Sequence, residues 1–128
     1  MRPISNMKIF ISYTTRDNIV TKEFLISLAQ KIADLGEIYI DLIHNRSLNK
    51  QGRVERELQQ ADIFMLLYTD SIKDSPWVIW EIETAESLGT YRAIAHPNLA
   101  TKEFLIDEIR TIISHAVYLL SKTRKNSD

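Results

Sequence analysis

Cysteine is absent from the chain, which excludes disulfide staples, thiolate nucleophiles and cysteine-based metal sites. Glycine is scarce, and Gly36, Gly52 and Gly89 are isolated from one another. The chain therefore offers neither a P-loop nor a GxGxxG turn to cradle phosphate. A G-x-S-x-G nucleophile elbow is also missing. His44, His96 and His115 share no ligand spacing, so neither a metal nor a resident cofactor is expected. The formal net charge of -1 gives no electrostatic reason for nucleic acid or an anionic membrane to bind. Lys122, Arg124 and Lys125 form the one basic cluster, which reads as a solvated tail. The longest apolar run, Ile63 to Tyr68, is far too short to cross a membrane. Met1 to Met7 is polar and holds Pro3, unlike a signal peptide. A cytoplasmic location is the resulting expectation.

What is present is ordinary in bulk and informative in order. An apolar fraction of 45% and a charged fraction of 26% suit one globular domain with a real core. The expected division is a flexible 1–7, a single domain over 8–121 and a flexible tail over 122–128. Lys8 to Tyr13 reads as a buried first strand. Phe24, Leu25, Leu28, Ile32 and Leu35 then recur at helical spacing, with Gly36 as the expected stop. Glu37 to Leu42 reads as a second strand and His44 to Gly52 as a polar loop. Val54, Leu58 and Ala61 mark a short amphipathic helix before a third strand at Ile63 to Tyr68.

Ser75 to Glu81 is the most telling stretch. Ser75 suits an N-cap and Pro76 the first helical position, where its missing N–H costs nothing. Trp77 and Glu81, four residues apart, share one face of the helix that ends at Gly89. Tyr91 to Ala95 reads as a very short fourth strand. A long amphipathic helix follows from Thr101, carrying Phe104, Leu105, Ile109, Ile112, Ile113, Ala116, Val117 and Leu120. Thr21 to Ile26 recurs residue for residue as Thr101 to Ile106, which reads as two coincident helix starts.

Strand and helix alternate, which predicts an α/β fold: a parallel sheet with helices on both faces and a shortened second half. Right-handed crossovers bring all strand carboxyl ends to one edge. Ser12, Tyr13, Asp41, Thr69, Asp70 and Glu81 should then border one crevice. From position alone Glu81 also reads as a solvated acid favoured by the helix dipole. Ser12 also reads as a turn residue, and Asp41 as the close of its strand.

Four stretches, taken together and in order, resemble the Toll/interleukin-1 receptor (TIR) domain family. They are Ile9-Phe10-Ile11-Ser12-Tyr13 with Arg16-Asp17, Ile38-Tyr39-Ile40-Asp41 with its polar loop, Ala61 to Thr69, and Ser75-Pro76-Trp77-Val78-Ile79-Trp80-Glu81. The resemblance spans roughly residues 8 to 89 and implies a flavodoxin-like fold. It also implies one of two jobs. The first is cleavage of NAD+ at the nicotinamide–ribose bond, as in TIR enzymes of bacterial antiphage defence, with Glu81 as the catalytic carboxylate. The backbone of Phe10, Ile11 and Ser12 and the ring of Trp77 would then line the nicotinamide end of the NAD+ substrate. Ser12, Asp41 and the loop up to Gly52 would shape the remainder of the pocket, and Trp80 would be structural. The second is a non-catalytic signalling module that self-associates, or binds another protein, through the 44–52 loop and the last helix. A nucleoside deoxyribosyltransferase-like enzyme is a weaker alternative with a similar sheet and glutamate. Typical TIR domains have five strands, and nothing after Gly89 supplies a convincing fourth and fifth. The loop after Asp41 also lacks the proline of receptor adaptors, which favours a microbial effector.

Overall fold

A computed structural model describes residues 7–97 and 102–126. The elements are β1 (Lys8–Ser12), α1 (Lys22–Ile32), β2 (Glu37–Ile40), a single turn α2 (Asp41–His44), α3 (Lys50–Gln60), β3 (Ile63–Leu67), α4 (Pro76–Leu88), β4 (Tyr91–Ala95) and α5 (Lys102–Asn126). All strand pairings are parallel, in the order β2-β1-β3-β4. Parallel neighbours need long crossovers, and here helices supply them. The arrangement is α/β and flavodoxin-like.

Strand periodicity divides the core into two halves. Ile9, Ile11, Ile63, Met65 and Leu67 turn one face of the sheet toward α1 and α5. Phe10, Tyr39, Phe64 and Leu66 turn the other toward Val54 and Leu58 of α3 and Val78 and Ala85 of α4. Because both faces are covered, β3 is buried at all five positions, which is why it reads as an unbroken apolar run. On β4, Ala93 and Ala95 are buried on the α1/α5 side while Arg92 and Ile94 stay exposed. Short side chains there let α5 approach the sheet. Arg110 fixes α5 to the end of α1 with a forked pair to Asp34 (2.7 and 2.9 Å) and a bond to the Lys31 carbonyl oxygen (2.7 Å). No helix among the described residues is long and apolar enough to cross a membrane.

Several boundaries differ from the sequence expectation. The fourth strand is a full five residues, paired with β3 from Tyr91 opposite Ile63 to Ala95 opposite Leu67. No fifth strand follows among the described residues, so β4 is an edge. The second strand stops at Ile40, and Asp41 and Leu42 enter α2 instead. The polar 44–52 loop shrinks, since His44 closes α2 and Lys50 already opens α3, capped by Asn49 accepting from Gly52 N (3.0 Å). The tail expected from residue 122 is instead helical as far as Asn126. Met7, expected in a flexible start, is core, and its carbonyl accepts from Glu37 N at 2.7 Å. Residues 1–6, 127 and 128 of the expected termini lie outside the described residues, as does Thr101.

The repeated hexapeptide behaves as two coincident helix starts. Leu25 and Leu105 are both buried, but Phe24 is buried where Phe104 is exposed, and Ile106 is buried where Ile26 is exposed. Identical local sequence therefore presents different faces to the sheet.

Gly36 does not end a helix in the left-handed region. A 3-10 turn, Ala33–Leu35, continues α1 to it. The glycine is needed because a Cβ there would overlap the Met7 carbonyl oxygen. Gly89, by contrast, caps α4 at φ 69° with open space around it. Thermal and denaturant unfolding should therefore rank two variants. Gly36→Ala should lose roughly 2 kcal/mol or more through backbone overlap, and Gly89→Ala only about 1 kcal/mol from its left-handed conformation. Equal losses would refute the assigned roles.

Candidate active site

Glu81 reaches its position through two local rules. On β1 side chains alternate, so Ser12 faces the same side as Phe10, toward α4. On α4 the Ser75 hydroxyl caps the helix by accepting from Val78 N (3.4 Å), with Pro76 in the first turn. That start fixes the rotation of α4 and turns Glu81 inward. The Ser12 hydroxyl donates to Glu81 Oε1 at 2.7 Å in a fully buried contact, and Glu81 is only 3% exposed. The nearby Trp77 side chain also favours the ionised form of this carboxyl.

A cleft of about 210 Å³ opens in front of Glu81, lined by Ile11, Tyr13, Thr15, Asp41, Leu42 and Trp77. It lies at the carboxyl edge of the sheet, where open α/β sheets bind ligands. Asp41 is held from behind, its Oδ1 accepting from the Tyr39 hydroxyl (2.8 Å) and from Asn45 Nδ2 (2.7 Å). The α2 turn that carries it is pinned twice more. Leu42 N donates to the Tyr13 hydroxyl (2.9 Å) and Ile40 N to His44 Nδ1 (2.8 Å).

The electrostatics are those of a desolvated acid facing a second carboxylate. Burial pushes the Glu81 carboxyl up to about 8; the Ser12 and Trp77 side chains oppose the shift and the Asp41 charge adds to it. Burial likewise raises the Tyr13 hydroxyl to about 12, helped by the charges of Asp41 and Glu81. At neutral pH the cleft thus holds a protonated Glu81 and a neutral Tyr13 beside Asp41. A cationic group entering it would favour release of the Glu81 proton.

The residues predicted from sequence are brought together in part. Ile11, Asp41, Trp77 and Glu81 line the cleft, and Ser12 stands directly behind Glu81. Phe10 does not reach it: its side chain is core, 5.4 Å from the Tyr39 ring and 5.7 Å from the Phe64 ring. Trp77 is 40% exposed at the rim. Trp80 is half-buried against the core, and its ring centroid lies 5.2 Å from that of Trp77. Tyr13 was placed at the crevice by topology but not given a role. Thr15, Leu42 and Asn45 carried no signal, since their positions depend on how the loops fold back.

A separate groove of about 320 Å³ lies between β2 and α3. Its charges are already engaged: Arg53 bonds Glu57 at 3.0 Å and stacks over the Tyr39 ring at 5.2 Å. His44 beside it is held below its ordinary value by burial and by Arg53. Among the described residues no cluster of three or more His, Asp or Glu could hold a metal ion.

No protein-family model matches the chain, and no curated protein matches it.

Burial of Glu81 makes stability depend on pH with a definite sign. The folded chain binds this proton more tightly than the unfolded chain, so stability is intact below the ordinary glutamate value of 4.5 and declines as pH rises toward about 8. Glu81→Gln keeps an acceptor for Ser12 and removes the ionisation. The variant should match the parent near pH 4.5 and exceed it by on the order of 2 kcal/mol or more above pH 8. A difference that does not vary with pH in denaturant titrations would contradict the buried-acid assignment.

Proposed function

We propose that the chain is a TIR-like enzyme that cleaves NAD+ at the nicotinamide–ribose bond, with Glu81 as its catalytic carboxylate. The observation that carries this reading is the buried Glu81 bonded to Ser12 at the back of a cleft shared with Asp41 and Trp77. It agrees with the family resemblance of the residues from 8 to 89, whose motif glutamate falls on Glu81.

The chemistry suits the site. As the C–N bond breaks, its electron pair leaves with nicotinamide, which becomes neutral and needs no general acid. Positive charge grows on the ribose ring, and a fixed carboxylate in a desolvated site stabilises it strongly. Water then adds to the ribose carbon and its proton passes to Glu81. The positively charged nicotinamide ring would lie at the rim beside the Trp77 indole, a favourable cation–π arrangement. Its charge would also help to ionise Glu81 on binding. Asp41 supplies a second negative group across the cleft. The product, ADP-ribose or a cyclic or conjugated form, depends on which nucleophile reaches the ribose carbon. A role in bacterial antiphage defence belongs to the same reading.

A second reading, the non-catalytic module, is favoured by apolar side chains on the two surfaces it would use. Leu48 is fully exposed beside α3, and Phe104 and Tyr118 are exposed about four turns apart on nearly the same face of α5.

Incubating concentrated protein with NAD+ and, separately, with deoxynucleosides, followed by mass spectrometry, separates the readings. Loss of nicotinamide from NAD+ is expected, falling by on the order of 10²–10³ in Glu81→Gln. The ionised acid is the active form, so kcat/KM should rise about tenfold per pH unit and level off near 8. Because TIR enzymes often complete their sites by self-association, the assay includes chemically oligomerised protein. Intact NAD+ in that sample would leave the interaction module, and base exchange on deoxynucleosides would leave the transferase.

A further inference from the structure

His44 lines no part of the Glu81 cleft, yet it closes the turn that carries one wall of it. β2 is an edge strand, and the N–H of its last residue, Ile40, donates to His44 Nδ1 at 2.8 Å instead of to another strand. Asp41 opens α2 and His44 ends it, so Asp41 lies along the chain between the two partners of this bond. One imidazole therefore ties the end of the strand to the end of the turn that presents Asp41 to the cleft.

Such a bond exists in one protonation state only. Nδ1 accepts with its lone pair, so the neutral ring carries its proton on Nε2. A second proton has to go to Nδ1, where the Ile40 N–H already points. Turning the ring over gives no escape, because an imidazolium has two donors and no acceptor. Ile40 is 0% exposed, so water does not replace the lost partner while the turn stays in place. A buried N–H left unpaired is costly, and a shift of the start of α2 relieves it.

The groups that face His44 do not welcome a second cation. From α3, Arg53 lies over the Tyr39 ring at 5.2 Å, and the His44 ring is 6.1 Å from that same ring. Glu57 of α3 also faces the imidazole, but it is bonded to Arg53 at 3.0 Å. Farther along the groove, Glu37 of β2 pairs with Lys8 of β1 at 3.8 Å. On the turn itself, Asp41 Oδ1 already accepts from Tyr39 and Asn45. Burial first and Arg53 second hold His44 below its ordinary value, against the opposing charge of Glu57.

We propose that His44 is a positioning residue for the Glu81 cleft: its neutral imidazole locks the turn that carries Asp41, and protonation of Nδ1 releases it. The lock acts from outside the cleft, through the backbone of Ile40 and Asp41. It belongs to the wall whatever the cleft binds; only its effect on rate rests on the NAD+ reading above.

Nitrogen-15 NMR of the full chain between about pH 5 and 8 tests this without a ligand. At neutral pH His44 should show a bare Nδ1 and a protonated Nε2, and its midpoint should fall below the ordinary 6.5. Protection of the Ile40 amide from hydrogen exchange, corrected for the intrinsic effect of pH, should drop about tenfold or more at that same midpoint. His44→Asn keeps an acceptor one bond beyond Cγ, as Nδ1 is, and does not titrate. Its Ile40 amide should stay protected throughout. His44→Phe keeps a ring without the acceptor, and its Ile40 amide should be unprotected at every pH. The comparison of parent with His44→Asn decides even if His44→Phe folds poorly. In the NAD+ assay, kcat/KM of the parent should fall more steeply than tenfold per pH unit below the His44 midpoint, and His44→Asn should keep the tenfold slope. An Nδ1–H tautomer at neutral pH, Ile40 protection that ignores the His44 midpoint, or equal slopes in active parent and variant overturns the proposal. The two readings fail separately. Cleavage of NAD+ with an Ile40 amide indifferent to pH keeps the reaction and overturns the lock. An Ile40 amide that follows His44, with NAD+ never cleaved, supports the lock and overturns the reaction.

Discussion

The bond between Ser12 and Glu81 is the constraint from which the site follows. It joins the last residue of a central strand to the middle of a helix, with both side chains removed from water. A carboxyl so placed is costly to ionise, and it is tolerated because the Ser12 hydroxyl bonds it and it can hold its proton. The alternation of β1 puts Ser12 on the α4 side, and the capped start of α4 turns Glu81 to meet it. A shift of one residue in either element would place one of the pair on the wrong face.

The two walls of the cleft are built differently. One is the first turns of α4, regular helix that continues to Leu88. The other is the single turn of α2, too short to hold itself in place. Tyr13, Tyr39 and Asn45 each bond to it, its own His44 accepts from Ile40 N, and through Tyr39 and Asn45 Asp41 is kept facing the cleft. The Tyr39 hydroxyl is pushed well above its ordinary value by burial and by Asp41, so it remains a donor to that carboxylate.

What could be read from the chain was what short-range rules control. The apolar spacing of α1 and α5, the Ser75-Pro76 start of α4 and the unbroken β3 run each reflect one period or one cap. Adding the order of elements gave the parallel sheet, and with it the shared edge of Ser12, Asp41 and Glu81. The missed features depend on contacts between distant segments. Gly36 resembles a helix stop in sequence, yet its need for a bare backbone comes from Met7. Asp41 and Leu42 continue an apolar strand pattern, but β1 pairs with β2 only as far as Ile40, and the chain then bends onto Tyr13. Phe10 shares a strand with Ser12 and, through the same alternation, falls one layer deeper, between aromatic neighbours. The fourth strand looked weak because its outer face is exposed and its inner residues are alanines, so only β3 beside it fixes it as a strand.

Both tryptophans of the chain lie on α4, with their indoles in contact. One of them edges the cleft while its neighbour packs into the core. Intrinsic fluorescence of this protein therefore originates almost wholly from a coupled pair at the mouth of the Glu81 cleft. The fold carries its own optical probe of that mouth, sensitive to any ring or charge that settles there and silent to events at the far end of the sheet.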